Sequence, residues 1–276
     1  MFSAKIILDS IAPCGRRLTT IEATYPRFIH SEVMTHRDRE RNAASSRAIP
    51  WSKMRDSIVA NPVVPIYWGA EQKGMQTGGE IDEEDRVLAR DIWLEARDDA
   101  VRYANALAML GVHKSICNRL VEPFSWMTVV MTATEWKNFY RLRCHPDAEI
   151  HFQKIACMIR EAMDASDPEE PDPDARGWHL PYVTEHDLQL LFNRPIGELK
   201  RISAARCARV SYLTQDGTRD PQKDLGLFNR LATGSGFGHW SPSGHVAYGE
   251  DTEVRSGPFI GWTQFRKEFP QENEPG

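Results

Sequence analysis

The chain has 276 residues, 41% hydrophobic and 26% charged, with a formal net charge of −5 and a pI near 6.0. That is enough apolar material for a sizeable core in one large domain or two small ones, and the acidic balance argues against wholesale binding to duplex nucleic acid, so any basic site has to be local. No apolar run approaches the ~18 residues that a membrane span needs, and Met1-Phe2-Ser3-Ala4-Lys5 lacks the apolar core of a signal peptide. Five cysteines with no C-x-x-C pair indicate neither a disulfide framework nor a zinc ribbon, so a reducing cytoplasm is the expected compartment.

Residues 4–11 and 17–25 read as two strands joined by a turn at Pro13-Cys14-Gly15. Pro26 is placed to open a helix through Thr35, with Phe28, Ile29, Val33 and Met34 inward and Glu32 one turn from His36. The densest chemistry follows in His36-Arg37-Asp38-Arg39-Glu40-Arg41-Asn42-Ala43-Ala44-Ser45-Ser46-Arg47. Four arginines among small and hydroxyl residues suit a folded loop that grips an anion through paired N–H donors. The alternative is an exposed charged turn.

A fresh helix is expected over about 51–60, then an irregular Pro- and Gly-rich excursion from Pro62 to Gly79. Ile81 to Leu110 carries the longest helical pattern, with Val87, Leu88, Ile92, Trp93, Val101 and Ala104 on its stripe, and reads as scaffold with Trp93 in the core. Gly111 ends it, and a short helix leads to Asn118-Arg119-Leu120-Val121-Glu122-Pro123. Trp126 to Thr132 reads as a strand because Thr and Val dominate it. Glu135 to Arg143 comes next, then a helix from Pro146 through about Met163. Cys144 follows Arg143, yet reads as structural rather than as a nucleophile. The acidic, Pro-rich stretch Asp164 to Asp174 reads as a solvated linker. Order resumes at Trp178 to Tyr182, with helices around 185–192, 200–209 and 222–232, then the turn Gly238-His239-Trp240-Ser241-Pro242-Ser243-Gly244-His245. His239 and His245 lack a nearby third ligand, so no metal is expected.

Three of these stretches resemble the flavin-dependent thymidylate synthases (ThyX). His36-Arg37, seven residues, Ser45, one residue and Arg47 follow the spacing of that family's Arg-His-Arg-x7-Ser signature, with Thr35 where the first Arg belongs. Arg119 with Pro123, the strand, Asn138-Phe139, Arg143, and Ala148 with Ala156 follow the order of the family's nucleotide and flavin site, with Thr132-Ala133-Thr134 near the place of its Asn-x-Arg. Ala208-Arg209-Val210-Ser211-Tyr212 and the Gly238 to His245 turn resemble a third family segment, which in ThyX proteins comes first in the chain and here comes last. The order therefore looks like a circular permutation, which is reasonable where termini lie close together at the surface. The tail segment Phe259 to Lys267 also resembles the approach to the family's basic loop, so Gln264 with Arg266 and Glu32 with Thr35 compete for one position. Residues 61–110 and 160–200 lie outside the resemblance.

The resemblance implies an α+β fold of the ThyX type in a single domain, assembled as a homotetramer with active sites between subunits. It implies reductive one-carbon transfer from methylenetetrahydrofolate to C5 of a pyrimidine deoxynucleotide monophosphate, dUMP to dTMP, with FAD as redox cofactor and NADPH as reductant. Arg143 is the expected catalytic cation and also binds substrate. Ser45, Ser46, Arg47 and Arg119 would hold the nucleotide, and His36, Arg37, Asn42, Asn138, His239 and Ser241 the flavin. The altered signature leaves room for hydroxymethylation of dUMP or dCMP by the same chemistry. A reading from another class is a non-catalytic protein that binds a nucleotide or single-stranded nucleic acid through the Arg loop and exposed aromatics.

Overall fold

A computed structural model describes residues 1–190, 194–210, 220–233 and 238–272. Strands β1 (Ser3–Ile11) and β2 (Arg17–Pro26) form the expected hairpin, turned where Gly15 takes φ +81°, a conformation that costs glycine nothing. The segment after Pro26 is a 3-10 turn, Arg27–Ile29, running into α1 (His30–Val33). The expected basic loop contains a short edge strand, β3 (Glu40–Ala43), paired antiparallel with β4 (Trp126–Ala133). The four-stranded antiparallel sheet runs β1-β2-β4-β3.

Between β3 and β4 lie α2 (Trp51–Ala60), α3 (Glu83–Met109) and α4 (Lys114–Cys117). Asp82 caps α3 by accepting the Asp85 amide at 2.9 Å, and Gly111 stops it at φ +78°. Only part of the α3 stripe is buried in the chain. Val101 and Ala104 pack with Ile49, Met54, Ile58, Val121 and Phe124, and Trp93 lies against this cluster, donating Nε1–H to Val63 O at 2.8 Å. Val87, Leu88 and Ile92, nearer the N-terminus, are more than half exposed.

After β4 come α5 (Lys137–Arg143) and α6 (Ile150–Asp164), which packs on β1 and β2. The stretch read as a solvated linker is largely exposed and is tied to β1: Ile11 donates its amide to Glu169 O at 2.9 Å, and Glu169 donates to Asp9 O at 3.3 Å. Beyond it lie β5 (Trp178–His179), α7 (Glu185–Leu190), α8 (Ile196–Arg209), α9 (Pro221–Thr233), the 3-10 helix Ser241–His245, β6 (Ala247–Gly249), the small hairpin β7 (Arg255–Ser256) with β8 (Phe259–Ile260), and β9 (Trp262–Gln264). Strands β5, β6 and β9 form a second sheet in the order β5-β6-β9. Residues Ser211 and Tyr212 of the third resembling segment lie outside the described residues.

Sequence periodicity explains how the halves meet. On β2 and β4 the odd positions Ile21, Ala23, Tyr25, Met127, Val129 and Met131 face α6 and build the main core with Phe139, Phe152, Ile155 and Ile159. The even positions carry threonines paired across the strands, Thr20 with Thr132 at 2.7 Å and Thr24 with Thr128 at 2.9 Å. The second half docks on the threonine-bearing face. Leu18 packs there with Ala247, Phe259 and Trp262, and His179 and His245 reach Thr20 and Thr132 at 2.8 and 2.7 Å.

Burial holds these histidines neutral. It depresses His179 to about 3, helped by His245, and His245 to about 3, helped by Arg266. His30, hydrogen bonded to Tyr25 Oη at 2.9 Å, is lowered to about 4 by burial and then by Arg27 and Arg41. An unfolded histidine titrates near 6.5, so below that pH the unfolded chain binds more protons than the folded one and stability is lost as pH falls. The melting temperature should hold near pH 7 and drop steadily from about pH 6.5 toward pH 4. Calorimetric scans across that window check this, and a flat profile contradicts it.

Candidate active site

The predicted residues sort into three neighbourhoods. In the first, Arg143 ends α5, where the helix carbonyls favour a cation. Its Nε–H donates to His36 Nε2 at 2.8 Å, and NH2 donates to Thr35 Oγ1 at 3.2 Å. The guanidinium carbon lies 4.6 Å from the centre of the Phe152 ring. Thr35 donates its own hydroxyl to Glu32 O at 2.7 Å, which leaves its oxygen turned to accept from Arg143.

Accepting from a guanidinium requires a lone pair on His36 Nε2, which makes the ring neutral with its proton on Nδ1. The environment agrees. His36 is buried edge-on between Phe139 and Phe152, and burial, then Arg39, Arg143 and Arg41, lower it to about 4. Glu32 is half-buried nearby, its carboxyl raised by burial and by Glu149. Cys144 is pushed up to about 11 by burial and by its hydrogen bond with Cys157, so its thiol stays protonated and is not poised as a nucleophile.

The second neighbourhood is the seam between β3 and the 3-10 helix Ser241–His245. Residues 40 and 42 share one face of the strand. Asn42 Oδ1 accepts the Ser241 hydroxyl at 3.0 Å. Glu40 Oε1 accepts Gln264 Nε2 at 2.8 Å and pairs with Arg266 at 3.3 Å, and Gln264 also donates to Gly244 O at 2.9 Å. A Cβ at Gly244 would come within 2.7 Å of the Glu40 carboxylate carbon, so glycine there lets strand and turn close together. The tail therefore meets the basic segment at Glu40, while Thr35 meets Arg143. Asn42 is 6% exposed, and its Nδ2 has no partner among the described residues.

The third neighbourhood follows β3. Asn118 donates to Ser46 O at 2.7 Å and Ile49 O at 2.9 Å, which brings Arg119 and Arg47 each next to a residue of one contact. Both guanidinium groups are exposed and unpaired among the described residues. The Ser46 hydroxyl is taken by Glu122 Oε1 at 2.5 Å, and Arg27 pairs with the same carboxylate at 3.1 Å. Ser45 Oγ accepts the Arg47 amide at 3.3 Å.

The remaining predicted residues are not drawn into these contacts. Arg37 is exposed, Asn138 is exposed and accepts from Arg141 at 3.1 Å, and exposed His239 donates its amide to Leu231 O at 2.9 Å. Arg39 and Arg41 serve the fold. Arg39 is 4% exposed, paired with Asp38 at 2.7 Å and set 4.6 and 4.5 Å from the Trp136 and Phe139 ring centres. Arg41 donates to Met34 O at 3.3 Å and His36 O at 2.5 Å. Sequence reasoning missed Glu40 and Thr35 as organisers, although the period-2 rule places Glu40 beside Asn42. A groove lined by Ile66, Trp68, Glu80, Arg86, Val87 and Arg90 contains none of the predicted residues.

No group of three His, Cys, Asp or Glu side chains arranged to hold a metal occurs among the described residues, and no described helix is long and apolar enough to cross a membrane. No family model matches the chain, and no curated protein matches it. Among solved structures it is similar to a UMP/dUMP methylase, PolB from Streptomyces cacaoi, bound with 5-Br dUMP, at 14% identity and a TM-score of 0.49 over 59% of this chain and 90% of that one. The same methylase bound with 5-Br UMP is similar at 14% identity and a TM-score of 0.49, over 59% of this chain and 88% of that one.

Proposed function

We propose that the chain is a ThyX-type enzyme that transfers a one-carbon unit from methylenetetrahydrofolate to C5 of a pyrimidine deoxynucleotide monophosphate, dUMP to dTMP, with FAD as redox cofactor and NADPH as reductant. The observation that carries the reading is the Arg143–His36 pair. A neutral imidazole accepts from one edge of the guanidinium, Thr35 accepts from NH2, and NH1 has no partner among the described residues. A permanently charged, pre-oriented donor of this kind stabilises negative charge that develops on a pyrimidine ring.

The residues present fit a flavin at the β3 seam. Asn42 Nδ2 is a buried donor in want of an acceptor, and the Ser241 hydroxyl lies against the same amide. Asn42 and Ser241 would hold the group, with exposed Arg37 toward its phosphates. FAD, when bound, supplies the hydride chemistry, so the chain itself need only bind, orient and polarise. Arg47 and Arg119 would take the nucleotide phosphate, since their guanidinium groups are exposed and the nearby Glu122 carboxylate is already paired with Arg27. The reading includes a permuted motif order and a homotetramer, and the exposed Val87, Leu88 and Ile92 on α3 suit burial between subunits.

Purified protein mixed with FAD and passed through gel filtration should retain the flavin, and flavin eluting wholly free from folded protein would sink the assignment. Mass spectrometry of the products from dUMP and dCMP then separates methyl from hydroxymethyl transfer and fixes the base. Arg143→Lys should keep fold and FAD yet lower single-turnover oxidation of the reduced flavin by at least ~100-fold, because an ammonium cannot offer the guanidinium's parallel donors. Near-parental turnover would leave Arg143 a surface residue. Arg47→Ala should weaken nucleotide binding roughly ten- to a hundredfold with the fold intact, as loss of a charge-assisted bond does. Unchanged affinity by titration calorimetry would place the phosphate elsewhere.

A further inference from the structure

Five buried polar side chains outside the roles assigned above form one unbranched chain of hydrogen bonds. Ser10 Oγ lies 2.8 Å from His179 Nδ1, His179 Nε2 lies 2.8 Å from Thr20 Oγ1, Thr20 Oγ1 lies 2.7 Å from Thr132 Oγ1, and Thr132 Oγ1 lies 2.7 Å from His245 Nδ1. Ser10 is 2% exposed and the other four are fully buried. The chain stops at His245 Nε2, which is buried and without a partner among the described residues.

Each hydroxyl owns one proton, and each neutral imidazole owns one. If Thr20 donates to Thr132, it must itself accept, so His179 carries its proton on Nε2. Thr132 then gives its only proton to His245 Nδ1, and His245 also carries its proton on Nε2. If Thr132 donates to Thr20 instead, both rings carry their protons on Nδ1. The mixed arrangements leave one bond with two protons or with none.

We propose that His179 and His245 are a coupled tautomer pair. The relay fixes whether His245 Nε2 offers a proton or a lone pair at the end of the 3-10 helix beside the β3 seam, and it reverses that sense with no change of charge. In the first arrangement Ser10 donates to His179 Nδ1, and in the second it accepts from it. Each arrangement holds one proton per hydroxyl and one per ring, so the two carry the same number of protons and the same charge. His245 is the positioned group, and Thr132, Thr20, His179 and Ser10 are positioning residues that act through it. The inference holds independently of the reaction assigned above.

Long-range nitrogen–proton NMR of the histidine rings in the full chain at pH 7.5 reads the tautomers directly. The two rings should show the same fraction protonated on Nε2, and unequal fractions, or a protonated ring, would overturn the proposal. Ser10→Ala extends the test to a ring that Ser10 does not touch. A buried N–H without an acceptor is the less tolerated defect, so the parent chain should favour both rings on Nδ1, because His245 Nε2 has no partner among the described residues. Ser10→Ala leaves a His179 Nδ1–H equally unaccepted, so the variant should move both rings toward Nε2 together. Movement of His179 alone would show that the threonines do not transmit the proton count. Thr132→Ser keeps the hydroxyl and should preserve equality, and loss of equality there would count against the relay.

Discussion

Desolvating a polar group is tolerated only when its hydrogen bonds are replaced, and the contact between the two halves of this chain obeys that constraint through threonine and histidine side chains. The sheet presents Thr20 and Thr132 to the second half, and His179 and His245 meet them from β5 and from the 3-10 helix. A wholly apolar seam would hold the halves together without fixing their orientation, whereas directional hydrogen bonds from Ser10 through to His245 Nδ1 specify one arrangement. Everything at the β3 seam depends on that placement. His245 ends the turn that Ser241 begins, so Asn42 meets Ser241 because the histidine at the far end of the turn is anchored to the sheet.

The sequence made the secondary structure readable wherever one face is buried. The β1–β2 hairpin, β4, α2 and the long α3 follow from alternation, β-branched content, Pro at a helix start and Gly at a helix end. Residues Glu40–Ala43 escaped that reading because an edge strand of charged and polar residues carries no apolar alternation. Its identity as a strand comes from β4, a partner far along the chain. The acidic stretch is solvated, as its composition implies, yet it is also tied to the sheet. Its composition cannot build a core, but two backbone hydrogen bonds to β1 need no side chain at all.

The same contrast holds at the candidate site. Residue types located the basic segment, but local sequence does not say which arginine faces a partner already in the fold. Arg39 between Asp38 and two aromatic rings, and Arg41 on the carbonyls closing α1, are bound internally. Arg37, Arg47 and Arg119 are left facing solvent. Burying a guanidinium requires pairing and hydrogen bonding, and Arg39 and Arg41 find it in a sequence neighbour and in backbone carbonyls, although Arg39 NH1 is buried without a partner among the described residues.

Two segments had equal claim by sequence to one position before the basic loop, and the structure gives each a different task. Thr35 is covalently next to His36 and reaches Arg143 through a neutral hydroxyl. Gln264 and Arg266 come from the far end of the chain and take the carboxylate of Glu40. An arginine in place of Thr35 would remove the hydroxyl that accepts from Arg143 and add a second positive charge beside it. A hydroxyl accepts the Arg143 N–H instead and adds no charge. The cation from the tail is free to serve where a negative charge needs it, and Glu40 supplies that charge on the strand face it shares with Asn42. Thr35 at Arg143 and the tail at Glu40 are thus compatible parts of one electrostatic arrangement, in which Arg143 is not opposed by a second cation.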